Sequence, residues 1–105
     1  MVASKGISFG IGKKAIVRTY SAGVWFGTIK EKVGNEVVMT KARRMWKWRA
    51  AGGICLSSCA MDGIDASRSK ISLAVDSVWL EAIEIIPCAK GAIKTIEDAP
   101  HATPQ

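Results

Sequence analysis

The sequence predicts a mainly β, α+β fold, a small rolled or half-open β-barrel of five to six antiparallel strands with one or two short helices. Three observations predict it. Short β-branched and aromatic runs recur between glycine-bearing turns. Two segments of small and apolar residues, 54–61 and 88–97, read as helices instead. A length of 105 residues leaves room for one core. Residues 1–98 read as a single domain and 99–105 as a C-terminal tail.

In chain order, residues 1–8 read as a loose start or an added edge strand. Residues 9–14, FGIGKK, form a glycine-rich basic turn without the spacing of a phosphate-binding P-loop. Residues 15–20 make the first strand, 21–23 a turn and 24–30 the second strand. Gly27 inside that strand marks a bulge or a close backbone approach. Residues 31–35 turn the chain into a third strand at 36–40, completing a meander.

A basic stretch follows directly at residues 40–49, as a continuation or a fourth strand. Five of its ten residues are Lys or Arg, two are Trp, and none is acidic. Extended, it places Arg44, Trp46 and Trp48 on one side and Arg43, Met45, Lys47 and Arg49 on the other; as a helix it would pair Arg44 with Trp48 and Arg43 with Lys47. Which face is buried stays open, because a one-residue slip exchanges the two sets.

After a break at residues 50–53, a helix over 54–61 stops at Asp62-Gly63 and sets Cys55 and Cys59 on one face. Residues 64–70 form a loop and 71–75 a strand. Asp76-Ser77 turns or bulges, and a long strand over 78–86 ends at Pro87. In that strand Trp79, Glu81, Ile83 and Ile85 share a side. The final helix, 88–97, turns Ile93 and Ile96 inward and is weakened by Gly91 by about 1 kcal/mol relative to Ala. His101 lies exposed in the tail.

Charge and cysteine usage narrow the function classes. Residues 1–50 hold eleven Lys/Arg against two acids, while residues 51–105 hold four against seven; the total is +6. No acid occurs from Val37 to Met61. A basic half raises the expectation of an anionic partner. The chain has no long apolar run for a membrane span or a signal peptide, and its odd count of three cysteines without a CxxC fits reduced thiols in a cytoplasm. A zinc site would need four ligands where Cys55, Cys59, Cys88 and a distant His101 are all there is, so no metal or cofactor is expected. The apolar fraction of 49% in so small a chain points to a homo-oligomer. The single His lies in the tail, and Glu81 and Glu84 face opposite sides of one strand. The expectation is therefore a binding protein, not an enzyme.

The basic–aromatic stretch suits a phosphate-bearing nucleotide. Arg18, Arg43, Arg44 and Arg49 would hold phosphates, and Tyr20, Trp25, Trp46 or Trp48 would stack the base. The same residues would suit single-stranded nucleic acid in an open groove or, as Trp and Arg hot spots, a protein partner.

Four segments, IGKKAIVRTYSAGVWFG (11–27), EVV (36–38), ARRMWKW (42–48) and AIEIIPC (82–88), together resemble a family of small proteins of tailed bacteriophages and prophages. The resemblance covers about residues 11–97. It implies a phage gene product acting in the bacterial host cytoplasm. By analogy of size, assembly and basic–aromatic content, it is similar to phage anti-defence sponges that sequester nucleotide immune signals between subunits. A single-stranded nucleic-acid binder or a protein inhibitor of a host defence factor is the alternative.

Overall fold

The computed structural model describes residues 8–102; the expectation for the first residues of the chain lies outside these. Five strands and two helices follow in the order β1 (Lys14–Thr19), β2 (Val24–Val33), β3 (Glu36–Lys47), α1 (Leu56–Asp62), β4 (Lys70–Ile71), β5 (Val75–Pro87) and α2 (Lys90–Glu97). A 3-10 turn, Ala66–Arg68, precedes β4. All pairings between the strands are antiparallel. β1 pairs with β2, β2 with β3, β3 with β5 and β5 with β1, so four strands close into a ring, and β4 pairs with the C-terminal end of β3 at Met45 and Lys47, past the end of its pairing with β5. The predicted mainly β, rolled architecture with two short helices is the one observed.

Period-2 alternation gives the ring two apolar faces. Ala15, Val17, Trp25, Ile29, Val37, Met39, Ala42, Leu80 and Ala82 come from all four ring strands and fill the interior. Ile16, Phe26 and Met45 point the opposite way and meet Leu56, Cys59, Ala60, Ile64, Ile71 and Ile96 of the helical side. The strands are thus buried on both faces where the helices cover them, which is why their apolar runs are nearly continuous. In α2, Ile96 is buried and Ile93 is partly buried against that layer, as expected.

The basic stretch continues β3 without interruption through Lys47. Besides a register shift against β4 between Met45 and Lys47, it changes phase at Lys41. Lys41 takes a positive φ of 50°, and the β2–β3 register shifts between Phe26 and Thr28. Gly27 stands opposite this bulge. A Cβ on Gly27 would lie 3.0 Å from both Ala42 Cα and Thr40 O, so only glycine lets the bulged backbone approach. Without the bulge Arg44 would fall on the helix-layer side; with it, Ala42 faces the ring interior and Arg43 and Met45 face the helices.

Four expectations are corrected. The strand predicted over 71–75 shrinks to Lys70–Ile71, because at Ser72 side chains replace a backbone rung: Arg44 N–H donates to Ser72 Oγ and Arg43 Nε to Ser72 O. Asp76-Ser77 is no turn: both residues lie in β5, with Ser77 opposite Thr40. Trp79, Glu81 and Ile83 do share the exposed outer face. Ile85, however, packs on the ring interior, because β5 bulges against β1 between Arg18 and Thr19. Cys55 sits before α1, exposed, its carbonyl accepting from Cys59 N at 3.3 Å, while Cys59 is buried. The two thiols therefore do not share a helix face.

The start of the tail is attached. Ala99 is buried, Ala102 N donates to Ile71 O at 2.8 Å, and exposed His101 bridges in parallel to Ile71. Among the described residues no helix is long and apolar enough to cross a membrane.

Candidate functional site

One end of the ring brings Trp25, Arg44 and Trp46 together. Trp25 and Arg44 are cross-strand partners of β2 and β3. Arg44 and Trp46, two apart in an extended strand, share a face. The Arg44 guanidinium carbon lies 4.6 Å from the Trp25 ring centroid and 4.9 Å from that of Trp46. Both distances are inside the range of cation–π attraction, worth about 0.5–2 kcal/mol each depending on solvation. Trp25 is 7% exposed and belongs to the ring core, whereas Trp46 is 66% exposed.

The turn beside this stack is held from below. Thr19 Oγ1 donates to Gly23 O at 2.7 Å and accepts from Ala22 N at 2.8 Å. Trp25 Nε1 donates to Ala22 O at 3.0 Å. Residues 21–24 consequently form one wall of an open cleft of about 450 Å³, with Arg44, Met45 and Trp46 as the other. The backbone of Arg44 is clamped on the far side: its N–H donates to Ser72 Oγ at 2.7 Å and its carbonyl accepts from Ser72 N at 2.8 Å.

Arg44 itself lacks an acceptor. Its Nε is buried without a hydrogen-bond partner. Among the described residues no carboxylate pairs with it. The residue as a whole is half-buried and lines the open cleft, but a buried Nε–H without an acceptor is uncommon, since buried polar groups are nearly always satisfied.

The other expected phosphate holders are placed elsewhere. Arg43 is 8% exposed. Its Nε donates to Ser72 O at 2.7 Å, and its Nη1 to Ile96 O at 2.8 Å and Glu97 O at 3.3 Å. It satisfies carbonyls at the C-terminal end of α2, where a cation also complements the helix dipole. Burial lowers its pKa. Arg43 is therefore a structural cation and is withdrawn from the expected phosphate-binding set. Arg18 donates to Glu84 at 2.9 Å on the exposed wall of the ring. Arg49 and Trp48 line a separate cleft of about 300 Å³ with Lys47, Ala50 and Ile54; Trp48 also packs against the helical layer. Tyr20 is 79% exposed and lies beside Asn35, Glu81 and Ile83. Of the eight expected residues, the structure unites Trp25, Arg44 and Trp46.

Sequence reasoning missed Thr19 and Ser72, which position the turn and the Arg44 backbone. Thr19 could have been noticed as a hydroxyl just before a Ser-Ala-Gly turn. Ser72 carries no local signal, since its partners lie 28 and 29 residues away. Elsewhere, Asp65 caps the 3-10 turn through Ser67 N at 3.1 Å, and the Ser67 side-chain hydrogen bond is the main cause of its lowered pKa. Burial pushes the Cys59 and Cys88 thiols up to about 11 each. Among the described residues no group of three or more His, Cys, Asp and Glu side chains is placed to hold a metal ion.

A search of the curated proteins and one of the solved structures returned no match. A family described as a domain of unknown function, DUF6948, matches residues 12–96. The match runs from just before β1 to the penultimate residue of α2 and takes in Trp25, Arg44 and Trp46. The chain therefore belongs to the DUF6948 family.

Proposed function

We propose that this protein binds a phosphate-bearing nucleotide in the cleft lined by Arg44 and Trp46, with Trp25 packed against Arg44 from the ring core, and acts by holding it without turnover. The observation that carries the reading is Arg44, its guanidinium carbon within 5 Å of two indole rings and without a carboxylate partner among the described residues. A phosphate offers the bidentate acceptor that a guanidinium lacks there. The exposed Trp46 ring offers a face on which a base stacks. The cleft volume, about 450 Å³, lies within the usual range for small-ligand sites.

Sequestration needs affinity and abundance only. The resemblance to small phage proteins suggests the use: removal of a nucleotide-derived immune signal in the cytoplasm of an infected bacterium. Native mass spectrometry against a panel of mono-, cyclic and ADP-ribose-type nucleotides tests this. The expected result is a mass addition at micromolar nucleotide that is lost in Arg44→Met, with the nucleotide recovered intact after denaturation. No addition from any nucleotide, or recovery of a cleaved product, overturns it.

A further inference from the structure

We infer that this chain associates end to end with a second copy of itself, the basic end of one molecule docking on the acidic, Trp79-bearing end of the next. β3 carries a like-charge pair at each of its ends. Glu36 stands opposite Glu81 of β5, and Lys47 stands opposite Lys70 of β4. All four side chains are exposed. Like charges directly opposite in an antiparallel ladder are destabilising. None of the four forms an ion pair with another described residue. The two ends lie about 36 Å apart along an extended strand, several times the roughly 8 Å over which charges are felt in physiological salt. Neither end can neutralise the other within one molecule. Copies docked on either side can neutralise both, one at each end.

Each end also has a cleft of matching chemistry. The acidic end holds a groove of about 170 Å³ lined by Glu31, Lys32, Val33, Glu36, Val38 and Trp79 among others; Lys32 Nζ donates to Gly34 O at 2.7 Å, and with Glu81 the carboxylates outnumber it. Trp79 Nε1 donates to Glu36 at 3.0 Å, which fixes the indole beside the carboxylates, and the ring is 57% exposed. An aromatic face rimmed by carboxylates suits a Lys or Arg side chain. The basic end presents Lys47, Arg49 and Trp48 around its own cleft, with Ile54 89% exposed at the edge and Lys70 across the ladder. Charge is complementary, and each end offers apolar surface to bury. The two surfaces differ, so the contact is heterologous: copies add in a row or close into a ring.

This contact does not rest on the nucleotide reading, because the Arg44 cleft is lined by other residues. Analytical ultracentrifugation over a concentration series, at low and at high salt, tests it. Two neutralised variants are compared, Glu36→Gln/Glu81→Gln and Lys47→Gln/Lys70→Gln. Both relieve repulsion, so each folds with an unchanged or higher thermal midpoint. The wild type is expected to gain mass with concentration at low salt and to lose it at high salt. Each variant alone stays monomeric. Their equimolar mixture forms a heterodimer and goes no further, since one complementary pair of ends remains. Arg44→Met associates as the wild type does, whatever it does to nucleotide binding. A monomeric wild type across the series overturns the inference. So does self-association of either variant at the wild-type level, or a mixture that stays monomeric.

Discussion

The Arg44 guanidinium carbon lies 4.6 Å from the Trp25 ring centroid, with its Nε sealed from solvent and no acceptor in reach among the described residues. The contacts with Trp25 and Trp46 together give attraction of about 1–4 kcal/mol, while an unsatisfied buried donor costs about 1–3 kcal/mol. The two effects nearly cancel. Arg44→Met, which keeps a flexible apolar chain between the indoles, is therefore expected within about 1 kcal/mol of the wild type in urea denaturation. A loss well beyond that would make Arg44 a structural residue. Trp46→Ala, at an exposed position, is likewise expected to unfold near the wild-type midpoint while weakening nucleotide binding at least about tenfold, a loss of about 1.4 kcal/mol or more.

Arg43 is its neighbour in sequence and its opposite in role. Arg43→Ala leaves the carbonyls of Ser72, Ile96 and Glu97 without their donor. Hydrogen bonds to a charged group contribute about 1.5–3 kcal/mol each, and loss of the two short ones, to Ser72 O and Ile96 O, puts the cost at about 3–6 kcal/mol. Chemical denaturation measures it. Arg43→Lys is expected to recover little, because a point ammonium cannot reach carbonyls of two segments as a planar fork does.

Much of this architecture is legible in the sequence, and the parts that are not have identifiable causes. β-branched and aromatic content in residues 15–20 and 24–30 reports the strands directly, although their near-continuous apolar runs do not say which face is which, and Gly27 announces the bulge it accommodates. The exchange of roles between Arg43 and Arg44 is not legible, since it depends on Lys41 entering a positive φ, a conformation that lysine does not advertise. The partners of Arg43 and Arg44 come from β2, Ser72 and α2, all distant in the chain. Asp76-Ser77 looks like a turn by composition, but pairing with β3 on one side of the ring overrides that local preference.

Two glycines are expected to respond to alanine with opposite signs. Gly27→Ala forces a Cβ to within 3.0 Å of the β3 backbone, which cannot yield without opening the bulge; the expected cost is about 1–3 kcal/mol. Gly91, in α2, has open space around its Cβ position. Gly91→Ala is expected to stabilise by about 0.5–1 kcal/mol through helix propensity. Thermal melts of the two variants separate in opposite directions from the wild type.

The thiols give a pH dependence. Cys59 and Cys88 are held protonated up to about 11, above the ordinary 9.0, by burial. A raised folded pKa means that stability is fully present below the unfolded value and is lost as pH rises through the folded one. Unfolding free energy is therefore expected to be insensitive to these groups below about pH 9 and to fall between about 9 and 11. Replacing both cysteines by Ala flattens that fall. At neutral pH, iodoacetamide is expected to label exposed Cys55 first.

The most direct test of the central claim follows the four tryptophan indole N–H signals by NMR as a nucleotide is added. The site predicts that Trp25 and Trp46 shift together, along with the Arg44 Nε–H, and that Trp48 and Trp79 stay in place. Movement confined to Trp48 or Trp79, or no movement at saturating nucleotide, contradicts it.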